Sequence, residues 1–240
     1  MNAPPVEISA TETPLPSPTI NWFPPSETPA PQVLATKSPT PEMRPGLGAT
    51  VVADDFSDPS LWDASRASSD QASAIMENNH LTLAAQSGIY IFRLRHELIL
   101  TDHYAEITVR PSLCRDKDSY GLLVRASAAN YYRFALSCDG TVRMEKLSAG
   151  TKLTMQKPLQ SGDVPPGAPG EVRIGIWAVG PELRLFLNER YQFSISDRSF
   201  PSGTIGVFVS SAGETPVVVS FSDLIIQKVY YTLPTKTPLP

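Results

Sequence analysis

The chain has 240 residues and a formal net charge of −4, with 20 Lys and Arg set against 24 Asp and Glu. Its charges are interspersed and form no basic run or tail, so the composition argues against nucleic acid or an anionic membrane surface as a partner. No stretch of 18 apolar residues occurs, so no transmembrane helix is predicted.

Proline is concentrated at the two ends of the chain. Residues 1–47 hold 12 of the 24 prolines, and three more lie in the last seven residues. Such Pro/Thr/Ser-rich sequence cannot bury a core and is typical of extended, semi-rigid linkers. We therefore predict a disordered linker over 1–47, one folded domain over 48–230 and the start of a second linker over 231–240.

The two proline-rich ends also bear on the compartment. The N-terminal sequence MNAPPVEISATETPLP lacks the charged region and the apolar core of a signal peptide, which taken alone would indicate a cytoplasmic protein. Pro/Thr-rich sequence at both ends is instead typical of a piece of a longer exported protein. We expect an extracellular or cell-surface location, with the domain tethered to others.

From Thr50 onward, short runs alternate apolar and polar residues with a period of two, and turn signals separate them. Only DPSLW at 58–62 suggests a helical turn. Many short strands with no helices between them predict an all-β fold, an antiparallel two-sheet β-sandwich with jelly-roll topology. We predict strands at 50–54, 74–77, 80–85, 88–95, 103–111, 119–126, 130–138, 141–148, 151–156, 171–179, 182–188, 190–195, 203–210 and 216–228.

Alternation within a strand also assigns side chains to the core or to the outer face. The stretch YGLLVRASAANYYRFALSCDG, residues 120–140, is the clearest case. Arg125, Tyr131 and Arg133 are predicted to face outward. The residues of this stretch that are predicted to face the core are Tyr120, Leu122, Val124, Ala126, Tyr132, Phe134, Leu136 and Cys138.

The two cysteines, Cys114 and Cys138, lie at the ends of predicted strands and belong to no CxxC or Cys/His pattern of zinc spacing. A bridge would tie a loop to a hairpin if the two strands share a sheet or stack. Pro/Thr-rich linkers and an even cysteine count suit an oxidising compartment. We therefore predict a disulfide, and two free buried thiols are the alternative.

Five motifs follow one another along the chain: DDFSDPSLW, YGLLVRASAANYYRFALSCDG, ELRLFLNER, GTIGVFV and VVVSFSDLII. With them the chain resembles the concanavalin A-like (laminin G/glucanase-type) jelly-roll superfamily. It is similar in particular to the extracellular modules grouped with the 3-keto-disaccharide hydrolase domain. Modules of this kind with Pro/Thr-rich linkers resemble parts of exported, surface-attached bacterial proteins.

The resemblance implies a place for a ligand, because folds of this type often bind glycans on a concave sheet face. Aromatic rings would stack on the sugars while Arg and Glu reach their hydroxyls, and arginine would suit acidic or sulfated sugars through bidentate pairing. An ordinary solvated sheet face with cross-strand ion pairs is the alternative. The candidate glycan-binding residues are Arg125, Tyr131, Arg133, Arg143, Glu145, Trp177 and Arg184.

Sandwiches that the chain resembles often hold a structural ion where the first and last strands meet. Asp54, Asp55 and Asp223 lie there by strand order, and their carboxylate oxygens would suit calcium. Plain turn chemistry is the alternative for the paired aspartates. No other cofactor is expected.

A glycosidase needs two facing carboxylates, and glycanases of the superfamily carry an E-x-D-x-x-E strand motif that this sequence lacks. No catalytic residue is therefore assigned. The expected function is a non-catalytic carbohydrate-binding or adhesive module, with a polysaccharide or other glycan as the partner. A hydrolase-like domain acting on modified disaccharides, by family analogy, and a structural spacer without a ligand are the alternatives.

Overall fold

The fold, taken from a computed structural model, is described over residues 42–62 and 69–234, so most of the predicted linkers lie outside the described residues. Its strands are β1 Leu47–Asp54, β2 Ala72–Glu77, β3 His80–Ala85, β4 Tyr90–Leu94, β5 His103–Leu113, β6 Ser119–Ala126, β7 Asn130–Ser137, β8 Thr141–Ser148, β9 Thr151–Gln160, β10 Val172–Val179, β11 Glu182–Leu187, β12 Arg190–Ser196, β13 Thr204–Ser210 and β14 Val217–Val229. Each lies on a predicted strand, and the 3-10 helix Pro59–Leu61 is the predicted helical turn. The described residues contain no helix long and apolar enough to cross a membrane.

The strands form two antiparallel sheets that stack as a sandwich. One sheet has eight strands in the order β12-β11-β10-β5-β14-β3-β2, with β1 also paired to β14. The other has six strands in the order β4-β13-β6-β7-β8-β9. Neighbours such as β10, β5 and β14 are distant in sequence, so the chain crosses repeatedly between sheets. The predicted all-β, two-sheet sandwich is confirmed.

The core lies between the inner faces of the two sheets, where alternation places it. On β3, Leu81 and Leu83 are buried while Thr82 between them is half-buried on the outer side. On β7, Tyr132 and Phe134 face inward and join the same apolar cluster. Removing each such aliphatic or aromatic side chain from water contributes about 1.5–3 kcal/mol, so burial between the sheets is the main stabilising term of the fold.

A disulfide joins the two sheets. Cys114 follows β5 of the eight-stranded sheet and Cys138 follows β7 of the six-stranded sheet, and their Cα atoms lie 5.9 Å apart. Both residues are buried and belong to the core cluster. The predicted bridge is confirmed. Because it closes a loop with a sequence separation of 24, it restricts the unfolded chain and so stabilises the folded one.

The chain enters and leaves the sandwich at one place. Leu47, the first residue of β1, pairs with Val229, the last residue of β14. The Tyr230 N–H then donates a hydrogen bond to the Gly46 carbonyl at 2.8 Å. Gly46 has a positive φ of 77°, and a Cβ there would lie 2.5 Å from the Tyr230 carbonyl oxygen, so this approach requires glycine.

Candidate functional site

The outer face of the six-stranded sheet carries four of the seven predicted glycan-binding residues. Alternation on β7 turns Tyr131 and Arg133 outward, away from the core cluster. The register of the sheet places Arg133 directly opposite Glu145 of β8, and Arg143 lies two residues before Glu145. We call the whole group the arginine face, and its members are Tyr90, Phe92, Tyr131, Arg133, Arg143, Glu145 and Lys152.

Glu145 is the centre of the charges on the arginine face. Arg133 donates from Nε to Glu145 Oε2 at 2.7 Å and also contacts that oxygen through Nη2. Arg143 Nε lies 3.4 Å and Lys152 Nζ 3.7 Å from Oε1. Burial would raise the pKa of the Glu145 carboxyl, but the three cations together outweigh it and hold the pKa below its usual value. Glu145 therefore stays ionised at neutral pH.

Arg143 also donates hydrogen bonds to two serine hydroxyl groups on the same face of the sheet. Its Nη1 donates to Ser137 Oγ and its Nη2 donates to Ser119 Oγ, at 2.5 and 3.2 Å. The two serines lie on the neighbouring strands β7 and β6 and are directly paired in the sheet. The guanidinium is thus fixed across three strands, with 20% of the side chain still exposed.

Aromatic rings form the other half of the arginine face. Tyr90 and Phe92 of β4 are half-buried, and their ring centroids lie 5.8 Å apart. Phe92 is 5.9 Å from the ring of Tyr131, and the hydroxyls of Tyr90 and Tyr131 are 3.2 Å apart. The Arg133 guanidinium lies 5.2 Å from the Tyr90 centroid. The charged and aromatic halves are therefore in direct contact through Arg133.

Sequence analysis missed three members of this face, Tyr90, Phe92 and Lys152. The alternation of YIFRL in β4 turns both rings to one side, and that pattern is visible in the sequence. Their place beside Tyr131 follows from pairing of β4 with β13, which is more than 100 residues away along the chain. Strand order of this kind cannot be inferred from local alternation.

Arg125 does not belong to the arginine face, and the prediction that it points outward is wrong. Its φ of 49° breaks the strand alternation, and the β6–β13 register shifts at the same point. The side chain turns inward, is 1% exposed, and donates from Nη1 to the Phe200 carbonyl at 3.1 Å. The register shift also changes the side to which Ala126 points. Ala126 is predicted to face the core, but it packs with Leu123 in the apolar cluster on the outer face of the sheet.

Trp177 and Arg184 also lie apart from the arginine face. They belong to β10 and β11 of the eight-stranded sheet, where they are directly paired, so they face the opposite side of the sandwich. The prediction of a single binding face that contains all seven residues is therefore wrong. Its physical reason is the topology, since alternation distinguishes inward from outward but does not say which sheet a strand joins.

Trp177 is moreover covered by the flanking segments. Its Nε1–H donates to the Pro45 carbonyl at 3.1 Å, and the ring meets Tyr231 edge-on. Arg184 lies 4.3 Å from the Trp177 ring centroid and donates to the Met43 carbonyl at 2.7 Å. Trp177 is fully buried and presents no open ring to a sugar. The flanking residues in these contacts, predicted as linker, are ordered against the sheet.

The three aspartates predicted to hold calcium are used locally. Asp54 accepts hydrogen bonds from Trp62 Nε1 at 3.1 Å and Arg95 Nε at 2.9 Å. Asp55 accepts from the N–H and hydroxyl of the residue two positions on, and Asp223 accepts from the preceding serine. Within 42–62 and 69–234, no three His, Cys, Asp or Glu side chains form a group that could hold a metal ion. The three carboxylates therefore serve separate local hydrogen bonds in this structure, and a calcium ion at this place stays a prediction.

The arginine face also offers one acid for catalysis, not two. Glu145 is the only Asp or Glu in the six strands of this sheet. Glycoside hydrolysis by the usual route needs two carboxyl groups about 5–9.5 Å apart, one of them protonated near neutral pH. Glu145 is instead held ionised by its three cations, so these strands do not supply an acid–base pair.

No protein-family model matches the sequence, and no curated protein matches it. Solved structures match it by fold. The carbohydrate-binding module CBM66 from Bacillus subtilis aligns with a TM-score of 0.52 at 16% identity, over 61% of this chain and 86% of that one. A Bacillus subtilis protein with a galectin-like fold aligns with a TM-score of 0.55 at 13% identity, over 77% and 99%.

The GH43 protein BlXynB from Bacillus licheniformis also matches, with a TM-score of 0.55 at 14% identity, over 74% of this chain and 39% of that one. At these identities the similarity concerns the fold. The fold that these structures share with this chain is a two-sheet β-sandwich of the jelly-roll type, as the sequence predicted.

Proposed function

We propose that the domain is a non-catalytic carbohydrate-binding module that binds a glycan on the arginine face. The observation that carries this proposal is the contact between half-buried aromatic rings and hydrogen-bond donors on one sheet face. Sugars have apolar C–H surfaces and polar hydroxyl edges, so a site for them needs both elements together. Tyr90 and Phe92 supply the rings, Lys152 supplies an exposed donor and Arg143 a partly exposed one.

The fold supports the same proposal. CBM66 is named as a carbohydrate-binding module, and the BlXynB protein as a GH43 protein. Fold alone does not carry function, so the argument rests on the arginine face and takes the similar structures as a precedent for sugar-related use of this architecture.

Two alternatives fit the geometry less well. A hydrolase acting on modified disaccharides would need a protonated acid near the ligand, whereas Glu145 is ionised and stands alone in its sheet. A spacer would need its two ends far apart, whereas Gly46 and Tyr230 are hydrogen-bonded to each other. A domain entered and left at one place adds almost no length to a stalk.

We further propose that the module is extracellular and tethered to a longer surface protein. The Cys114–Cys138 disulfide suits an oxidising compartment. The Pro/Thr-rich sequence before and after the sandwich suits stalk-like linkers. Secretion of the parent protein, followed by detection of the module on intact cells, tests this part of the proposal.

Binding is tested by affinity electrophoresis of the domain through a panel of neutral and acidic polysaccharides. We expect retardation by at least one polymer, and its loss in Tyr90→Ala and Phe92→Ala. Tyr191→Ala is the matched control, because Tyr191 is a 40% exposed aromatic residue of the eight-stranded sheet. Circular dichroism confirms that each variant is folded. Absence of retardation across the panel would refute the proposal.

A further inference from the structure

We infer that the arginine face takes an anionic saccharide, one that bears carboxylate or sulfate groups, with Lys152 and Arg143 as the residues that contact the anion. The inference rests on the proposed function and adds the class of ligand to it. It follows from how charge is distributed over this sheet and from which of its cations are already neutralised.

Charge on the six-stranded sheet is opposite in sign to that of the whole chain. The full sequence carries a net charge of −4, but the six strands hold seven cations and one acid. Glu145 is the acid, and the cations are Arg93, Arg125, Arg133, Arg143, Lys146, Lys152 and Lys157. Arg125 turns inward and Lys146 is paired with Asp197, so the arginine face itself has the three cations Arg133, Arg143 and Lys152. A cationic face on an acidic protein attracts an anionic ligand to one place and repels it elsewhere.

The excess positive charge is concentrated around Glu145. Among the described residues, each other ion pair joins one cation to one carboxylate, as in Arg173–Glu106, Arg110–Glu171 and Arg184–Glu182. Glu145 instead forms ion pairs with three cations, Arg133, Arg143 and Lys152. The cluster therefore carries a net charge of about +2 that no carboxylate among the described residues balances. An anionic group on a ligand would complete it.

The three cations of the cluster have different roles. Arg133 is buried and places two of its nitrogens on one Glu145 oxygen. Its guanidinium lies 5.2 Å from the ring centroid of Tyr90 and 5.4 Å from that of Phe208. It is a positioning residue that links the two halves of the face. Lys152 is 58% exposed, and its only ion pair within the described residues is the 3.7 Å contact to Glu145. Its ammonium is free to turn toward a ligand.

The position of Lys152 matches that of the aromatic rings. Leu147 of β8 pairs with Tyr131 on one side and with Lys152 on the other. Neighbouring strands are about 4.8 Å apart, so Tyr131 and Lys152 are separated by about 10 Å along one row of the sheet. A disaccharide spans such a distance. One sugar can therefore lie at the rings while the acidic group of the next reaches Lys152 and Arg143.

The test compares two polymers that share a backbone and differ in charge: polygalacturonate and its fully methyl-esterified form. Chondroitin sulfate and desulfated, carboxyl-reduced chondroitin form a second pair. We expect at least about tenfold tighter binding to the anionic member of one pair, measured by affinity electrophoresis and titration calorimetry. Raising the salt from about 0.05 M to about 0.5 M should remove most of the difference in affinity between the two polymers, because the Debye screening length shortens as ionic strength rises.

Lys152→Gln and Arg143→Gln are each expected to weaken anionic binding about three- to tenfold. They should weaken binding of the neutral polymer clearly less, because the Gln amide keeps a hydrogen-bond donor and only the charge is lost. Arg190→Gln is the matched control, since Arg190 is 76% exposed on the eight-stranded sheet. Equal weakening in the control would show unspecific charge attraction and overturn the inference. Equal binding of both members of each pair, still dependent on Tyr90, would overturn the inference and leave the proposed function intact. Absence of binding to every polysaccharide would refute both.

Discussion

Replacing Trp177 with phenylalanine distinguishes two possible roles of this side chain. The ring could stack on a sugar, or it could hold the flanking segments against the sheet. The ring is fully buried, its Nε1–H donates to the Pro45 carbonyl at 3.1 Å, and the Arg184 guanidinium lies 4.3 Å from its centroid. Phenylalanine keeps most of the apolar burial. It removes the donor and weakens the cation–π contact.

The expected cost follows from these two contacts. A lost hydrogen bond costs about 1 kcal/mol, and a weakened, partly desolvated cation–π contact adds about 0.5–1 kcal/mol. The free energy of unfolding of Trp177→Phe should therefore fall by about 1.5–2 kcal/mol. For a domain of this size that lowers Tm by about 3–8 °C.

Urea unfolding measures the free energy, and amide hydrogen exchange shows where the loss occurs. Exchange should rise at residues 43–46 and 230–233, while retardation by polysaccharides stays as in the original protein. Tyr191→Phe is the control on the same sheet, with an expected change within about 0.5 kcal/mol. If Trp177→Phe lost polysaccharide binding and kept its stability, the ring would be a ligand platform and our account of its burial would be wrong.

Two further predictions concern stability. Replacing Cys114 and Cys138 with serine should lower the free energy of unfolding by about 3.5 kcal/mol, the loop-entropy value for a separation of 24; an unchanged urea midpoint would contradict this. Burial lowers the pKa of His103 to about 4, whereas an unfolded histidine titrates at about 6.5. The unfolded state binds more protons between these values, so the free energy of unfolding should fall as the pH drops from about 6.5 to about 4. His103→Gln should make the urea midpoint depend less on pH in this range. If the dependence on pH were unchanged, a group other than His103 would be taking up the proton.

Local alternation was enough to predict the strands, because burial on one side of a sheet imposes a period of two on each strand independently. It placed β6 at 119–126 and β8 at 141–148 with the bounds that the structure has. The disulfide was predictable for a related reason, since Cys114 and Cys138 both end strands that a sandwich brings together.

The composition of the site was less predictable, because it depends on contacts between distant segments and on backbone irregularities. Arg125 escapes alternation through a positive φ that a non-glycine residue rarely adopts. Trp177 does face away from the core, as alternation indicated, but Met43 and Pro45 cover it from more than 130 residues away. Tyr90 joins the arginine face only through the order of the strands.

The shared entry and exit point has a mechanical consequence. Tension applied through Gly46 and Tyr230 reaches the antiparallel β1–β14 ladder at its Leu47–Val229 end. The ladder hydrogen bonds would then be loaded one after another, as in peeling, and not together in shear. A peeled sandwich lengthens the chain, but the loop closed by the disulfide, with a separation of 24 residues, cannot be pulled out. At about 3.4 Å per residue the bridge withholds about 80 Å of that extension.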